Sequence, residues 1–388
     1  MDFALDEEQQ ILQRTLRSFA EKRVAAEAAL RDRQGLFPTA LLQECAALGL
    51  TGMLIPEQYG GSAMGAVAYS LALTEIGRAC AGTAVTLSVS NMVAEAILRW
   101  GSESQRQEYL PGLCDGALVP GAFALTEPEC GSDPAGLRTR ATRVPEGYRL
   151  SGEKVFCTSA SHAGVFLLVA RTGAAGGKGL SAFLIPRGQP GLTVTRVEEK
   201  LGQHASDTAT VCLDDCLVDA GALLGPEGAG LAIALGALDG GRIGIGSLAL
   251  GIGQAALLAA GRYALQRVQF GKPIAEHGAI QAKLADCATE LEAAQLLVWR
   301  AAWLKERGGA RPTGEAAMAK LFATEAASHA CDEALQIHGG YGYSKDFPVE
   351  RYYRDVRVTR LYEGTSEIQR LVIARKLLER VGEGQGVP

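Results

Sequence analysis

A carboxylate, Glu363, stands between an apolar approach (Leu361, Tyr362) and Gly364. The residues after it predict a helix. Thr365 or Ser366 can cap its first turn, and Ile368, Leu371, Val372 and Leu378 give it an apolar face. A carboxylate on a short loop at a helix N-terminus, beside a residue with no side chain, is placed to act on a bound molecule by taking or giving a proton. The other chemically active residue types point elsewhere. Five histidines show no metal-ligand spacing, so no metal site is expected. Nine cysteines, Cys45 to Cys331, are scattered without a C-x-x-C pair, which predicts buried thiols in a reducing compartment.

The elements that must position Glu363 belong to a chain of 388 residues, 47% hydrophobic and 21% charged, a soluble globular composition with room for two or three domains. A net charge of -5 argues against a nucleic-acid partner. Met1-Asp2-Phe3 leads directly into acidic helix-forming sequence, so no signal or transit peptide is expected. That predicts a cytoplasmic protein, or a mitochondrial-matrix one in a processed eukaryotic form. Ile243 to Gly261 carries no charge and approaches the length of a membrane span. Its glycines (Gly244, Gly246, Gly251, Gly253), with Ser247 and Gln254, predict instead a helix packed closely inside a bundle.

Three textures succeed one another. Asp6-Glu-Glu-Gln9 reads as a capping box, and helical patterns follow through Leu41–Leu48, Tyr69–Ala79 and Met92–Trp100, so residues 1–119 predict a helical domain. From Pro120, turn pairs separate the short runs Tyr148–Leu150, Val165–Ala170, Ala182–Ile185, Leu192–Val197 and Thr208–Leu213, which predict a β domain over 120–226. Over 227–388 four long helical patterns return: Ala229–Arg267, Ile280–Arg307, Gly314–Ile337 and Thr365–Val381. Gly271-Lys-Pro273, Gly308-Gly309 and Gly339-Gly340 separate them, predicting an antiparallel bundle and then a frayed tail, Gly382–Pro388.

Six segments now carry a resemblance: Phe123–Asp133, Glu153–Thr158, Leu238–Gly244, Arg267–Lys272, Gln336–Gly342 and Tyr362–Thr365. In type and order they resemble the acyl-CoA dehydrogenase family across nearly the whole chain, and Leu238–Gly244 is most similar to its short-chain, butyryl-CoA branch. The resemblance implies an α+β fold with an N-terminal helical domain, a middle β-barrel-like domain and a C-terminal four-helix bundle. It implies FAD between the domains, completed by a neighbouring subunit of a homotetramer (a dimer of dimers). A short- or medium-chain acyl-CoA as substrate and electron transfer flavoprotein as oxidant complete the picture.

The implied reaction removes two hydrogens from adjacent carbons, an α-proton to a base and a β-hydride to flavin N5. Glu363 is the implied base, its own N–H polarising the thioester carbonyl, with Gly364 leaving room for the thioester. Some branches place the base on another helix; the matching position here is Gly241, which has no carboxylate. Arg242 is expected to support the site and Asp239 to lie near the CoA end, although taken alone the two read as an i,i+3 surface pair. For the flavin, the resemblance points to Phe123, Leu125, Thr126 and Gly131, with Ser132 reaching flavin or CoA phosphate. Thr158 is a further donor, and Phe156, where tryptophan is common, shields the ring unless it is simply a core residue. Arg267, Gln269, Phe270 and His277 match residues that reach the pyrophosphate and adenine of a neighbour's FAD. Gln336, Gly339 and Gly340 approach the pyrophosphate, and Thr365 and Glu367 the adenosine. The acyl cavity is expected between Leu87–Ala96 and the helix after Gly240. An acyl-CoA oxidase, a desulfinase-like relative and a non-catalytic AidB-like binding protein are the alternatives. The acidic balance speaks against the last.

Overall fold

The computed structural model describes residues 4–308 and 311–384. Met1–Phe3, Gly309, Ala310 and the last four residues of the tail lie outside the described residues.

The N-terminal part is helical: α1 (Glu7–Phe19), α2 (Ala28–Gln34), α3 (Thr39–Ala47), α4 (Gly65–Ala79), α5 (Ala81–Trp100) and α6 (Glu103–Asp115). The Asp6 capping box forms as its sequence predicts, with the Gln9 N–H donating to Asp6 Oδ1 at 2.8 Å and the Asp6 N–H to Gln9 Oε1 at 3.2 Å. Both α4 and α5 are buried on nearly every face, which is why their sequences lack a polar stripe. No helix was expected at α6. The helix takes Pro111 into its interior, Ser102 and Gln105 cap its first turn, and Tyr109, Leu110 and Leu113 bury against the core.

The middle part is one eight-stranded sheet: β1 (Gly121–Ala124), β2 (Arg140–Val144), β3 (Gly147–Thr158), β4 (Val165–Arg171), β5 (Leu180–Pro186), β6 (Leu192–Val197), β7 (Thr208–Val218) and β8 (Leu223–Leu224). The order is β6-β7-β3-β2-β4-β5-β8, with β1 parallel to β4, and the outer strands β6 and β8 do not pair with each other. The five expected runs fall on β3 to β7. The short β1, rich in Gly and Ala, and the largely exposed β2 carry too little β-branched periodicity to be read in advance. The longer β3 takes in the whole Glu153–Thr158 segment, and its register against β7 shifts between Lys154 and Cys157.

The third part holds α7 (Gly230–Gln266), a small hairpin of β9 (Val268–Gln269) and β10 (Lys272–Pro273), α8 (Gly278–Glu306), α9 (Thr313–His338), α10 (Val349–Arg357) and α11 (Ser366–Gly382). The four long helices agree with their sequence patterns to within a residue or two. The charged α10 was not expected. Two helices, Ala81–Trp100 and Gly230–Gln266, are long and apolar enough to cross a membrane by length and composition, yet 89% and 78% of their most apolar windows are buried inside the fold. Glycines make the close packing feasible. A Cβ on Gly251 of α7 would overlap the Thr74 carbonyl oxygen on α4, and one on Gly77 would stand 2.8 Å from the Leu248 carbonyl. By contrast, the apolar stripe of α11 does not face this chain's core. Leu371 and Leu378 are 66% and 69% exposed, and the helix buries Ser366 and Gln369 instead.

Candidate active site

Glu363 sits in the turn between the 3₁₀ segment Val358–Arg360 and α11, which Thr365 caps by accepting from the Ile368 N–H at 3.3 Å. Its φ is 51° and that of Gly364 is 90°. A left-handed glutamate is costly unless its surroundings hold it. Here Gln369 Nε2 donates to the carbonyls of Glu363 (3.2 Å) and Gly364 (2.8 Å), and Lys320 Nζ donates to the Gly364 carbonyl at 2.7 Å. A Cβ on Gly364 would stand 2.7 Å from that Gln369 amide. Glycine at 364 therefore has a reason inside the chain. On the other side, Gln203 Nε2 reaches the Tyr362 hydroxyl at 3.2 Å, tying a loop of the middle part to the residue before the carboxylate.

The Glu363 side chain turns inward. Its Oε2 is buried and has no hydrogen-bond partner. It rests on α7 at Gly241, where any Cβ would overlap it and would lie 2.7 Å from Glu363 Cδ and 3.0 Å from Met92 Sδ. The neighbouring glycines are equally constrained: a Cβ on Gly240 would meet Glu95 Oε2 at 2.7 Å, and one on Gly244 the Tyr69 hydroxyl at 2.5 Å. Burial pushes the Glu363 carboxyl up to about 7, with the Lys320 and Arg242 cations pulling back. Among the described residues, the Glu363 N–H donates to nothing within the chain.

Arg242 and Asp239 are not a surface pair. Both are buried, with Arg242 Nη1 2.8 Å from Asp239 Oδ1 and Arg242 Nε left without a partner. The second Asp239 oxygen accepts from Arg311 Nε at 2.8 Å and Thr313 Oγ1 at 2.9 Å. Asp239, expected near the CoA end of a substrate, thus has partners within the chain for both of its oxygens. Its carboxylate is taken up inside the fold, where it fixes Arg242 and joins α7 to the start of α9.

The two flavin-like segments of the middle part lie side by side. The Val155 N–H donates to the Thr126 carbonyl at 2.9 Å, and Lys154 Nζ to the Leu125 carbonyl at 3.0 Å and Glu127 Oε1 at 2.7 Å. Glu127 also accepts the N–H groups of Arg138 (2.6 Å) and Thr139 (2.9 Å). This buried brace went unassigned in the sequence, although both of its members lie inside quoted segments. Phe123 and Leu125 sit at β1, Phe123 half-buried and Leu125 buried, and Gly131 and Ser132 lie on the exposed loop beyond. At the β3 irregularity Phe156 has φ 55° and is 65% exposed, which overturns the core alternative. The half-buried Thr126 and Thr158 hydroxyls make no hydrogen bond within the chain among the described residues.

A second group gathers elsewhere. Arg267, Gln269, Phe270, His277, Gly339 and Gly340 line a cleft of about 770 Å³ that does not include Glu363. Phe270, at the hairpin tip, has φ 54° and is 93% exposed. Arg267 lies 5.8 Å over the Tyr341 ring, and His277 Nε2 is 3.2 Å from the Gln269 carbonyl. Nothing stands within 4 Å of a Cβ built on Gly339 or Gly340. Gln336 and Glu367 are exposed, and Thr365 is occupied as a cap. His338 packs structurally, its Nδ1 2.7 Å from the Ala334 carbonyl and its ring stacked on Tyr263.

Comparison with known proteins matches three domain families: acyl-CoA dehydrogenase N-terminal domain over residues 6–117, middle domain over 122–216 and C-terminal domain over 228–378. The chain belongs to the acyl-CoA dehydrogenase family. It is 47% identical over 377 residues to the short-chain specific acyl-CoA dehydrogenase, mitochondrial, of Mus musculus, covering 96% of this chain and 91% of that protein. It is 44% identical to an acryloyl-CoA reductase (NADH) of Anaerotignum propionicum, covering 98% and 97%. The solved structure of butyryl-CoA dehydrogenase from Megasphaera elsdenii superposes with a TM-score of 0.95 at 41% identity, covering 97% of this chain and all of that one. As a member of the acyl-CoA dehydrogenase family, the chain has the family's three-part fold, with a middle β-sheet domain between helical ones.

Proposed function

We propose that this chain is an FAD-dependent acyl-CoA dehydrogenase that converts a short- or medium-chain acyl-CoA to the trans-2-enoyl-CoA, with Glu363 taking the α-proton. The observation that carries the reading is Glu363 Oε2, buried and unpartnered against a helix that offers only glycine there. With its carboxyl near 7, Glu363 accepts a proton close to neutral pH. Its unengaged N–H is the donor for the thioester carbonyl, stabilising the charge that develops as the α-proton leaves. Arg242, fixed by Asp239, keeps positive charge beside the carboxylate.

The residues fit FAD. The free hydroxyls of Thr126 and Thr158, the outward Phe156, and Gly131 and Ser132 would hold it from the middle domain. Bound FAD supplies the two-electron acceptor for the β-hydride. Arg267, Gln269, Phe270 and His277, gathered at a separate cleft, would hold the FAD of a neighbouring copy, with Gln336, Gly339 and Gly340, an arrangement that suits the proposed homotetramer. Arginine suits the pyrophosphate because its donors are planar and fixed. Arg267→Ala is expected to leave the fold intact and lower the flavin content of the purified protein, read from its absorbance ratio. Full flavin retention would remove Arg267 from the site. Electron transfer flavoprotein is the proposed oxidant.

Anaerobic titration with a panel of acyl-CoAs tests the reading. Short and medium chains are expected to bleach the flavin. The base works only deprotonated, so the bleaching rate should rise with pH through about 7 and then level off. If no thioester bleaches the flavin, the reading fails. The 44% identity to a protein named acryloyl-CoA reductase (NADH) favours one companion reading, reduction of a 2-enoyl-CoA by the same residues. A carboxyl near 7 returns a proton as readily as it takes one, so the electron partner sets the direction.

A further inference from the structure

No motif assigned Lys320, yet it holds the Glu363 turn from beneath. It lies within α9 and is 0% exposed. Among the described residues its ammonium forms no ion pair with a carboxylate, and its hydrogen bond goes to the Gly364 carbonyl at 2.7 Å. Burial lowers its pKa to about 8, and the charge of Glu363 is the largest influence opposing that shift. An unpaired ammonium is expensive to bury, so its presence here calls for a local reason.

The surroundings of the turn supply one. The Gly364 carbonyl accepts from Lys320 and Gln369 together, and the Glu363 carbonyl from Gln369. These are the two peptide groups that follow the base and keep its backbone left-handed. Arg242 on α7 is the other cation acting on Glu363, but it is shared with Asp239, itself bound by Arg311. Tyr69 on α4 is bonded to Ser88, and α5 presents Met92, while its Glu95 is paired with Lys305. Tyr362 beside the base is engaged by Gln203, and Glu325 and Glu367 act on Lys320 from α9 and α11. Lys320 is thus the cation beside Glu363 that no ion pair neutralises.

We propose that Lys320 is a positioning residue for proton abstraction: its buried ammonium locks the Glu363–Gly364 turn through the Gly364 carbonyl and sets the field in which the Glu363 carboxylate holds its proton. This rests on the reading of Glu363 as the base.

The test compares Lys320→Gln, which keeps a donor but loses the charge, with Lys320→Arg, which keeps the charge. Both are studied as FAD-loaded protein. The carboxyl of Glu363 is titrated by infrared difference spectroscopy, its band identified by its loss in Glu363→Gln, and the pH limb of flavin bleaching is measured alongside. Removing a nearby cation disfavours the carboxylate, so Lys320→Gln should raise the midpoint by about one unit or more. Its bleaching rate below that midpoint should then fall about tenfold, the rate equivalent of one unit. Lys320→Arg should hold the midpoint while slowing bleaching, because the planar group fits the carbonyl differently. An unchanged midpoint in Lys320→Gln, or an equal rise in Lys320→Arg, would overturn the proposal. If Lys320→Gln loses FAD, Lys320→Arg decides alone: a midpoint raised by a full unit, or bleaching at the wild-type rate, overturns it. Should Glu363→Gln keep turnover, the base reading fails, and the infrared titration still reports whether Lys320 governs that carboxyl.

Discussion

Glu363→Gln is expected to keep its FAD and bind acyl-CoA while slowing flavin reduction by about 10²–10⁴-fold, the range a positioned general base contributes. The substitution changes little else. The backbone of the turn is held through the carbonyls of residues 363 and 364 by Gln369 and Lys320, and none of these three bonds uses the glutamate side chain. An amide of the same shape can occupy the space over Gly241, and it removes a charge that burial already penalises. The melting temperature should therefore hold or rise slightly. Single-turnover reduction in a stopped-flow instrument measures the effect directly. Turnover within a few-fold of wild type would move the base to another residue.

Gly241→Ala is the second large effect, and it acts on the same carboxylate from the opposite side. The new methyl would overlap Glu363 Oε2 and crowd Met92 Sδ at 3.0 Å. Both obstacles are the far ends of flexible side chains, so the fold can yield where the chemistry cannot. Alanine also recovers up to about 1 kcal/mol of helix propensity in α7, offsetting part of an overpacking cost of about 1–3 kcal/mol. The expected outcome is a small change in melting temperature with flavin reduction slowed by about 10²-fold, the scale that a misplacement of about 1 Å carries. Gly251→Ala provides the contrast on the same helix. There the obstacle is the Thr74 backbone carbonyl, which cannot swing away, so that variant should lose stability first. Reduction at wild-type speed in Gly241→Ala would show that Glu363 does not work from its position over α7.

Much of this was legible in the sequence. The long helices declare themselves because glycine pairs end them and their apolar periodicity runs for many turns. The six family-like segments led to Glu363, and to the base position that Gly241 leaves empty. What escaped was set by distant contacts. Lys320 sits in a helix read correctly, but nothing in a helical pattern shows that its ammonium reaches a carbonyl 44 residues further on. Asp239 and Arg242 have the spacing of a surface pair. Burial and the arrival of Arg311 and Thr313 are tertiary facts that turn them into an internal clamp. The α11 stripe was readable as apolar, yet no periodicity says whether such a stripe meets its own core or remains outside.

The glycines of α7 contribute by omission. At 240, 241 and 244 the helix presents bare backbone to Glu95, Glu363 and Tyr69, so three short steps along one helix are each blank. One added side chain at any of them would redraw the walls around the carboxylate while leaving the sheet, the cofactor segments and the capped turn untouched. Divergence in what such a site accepts can therefore proceed by single substitutions on α7, with the scaffold inherited whole.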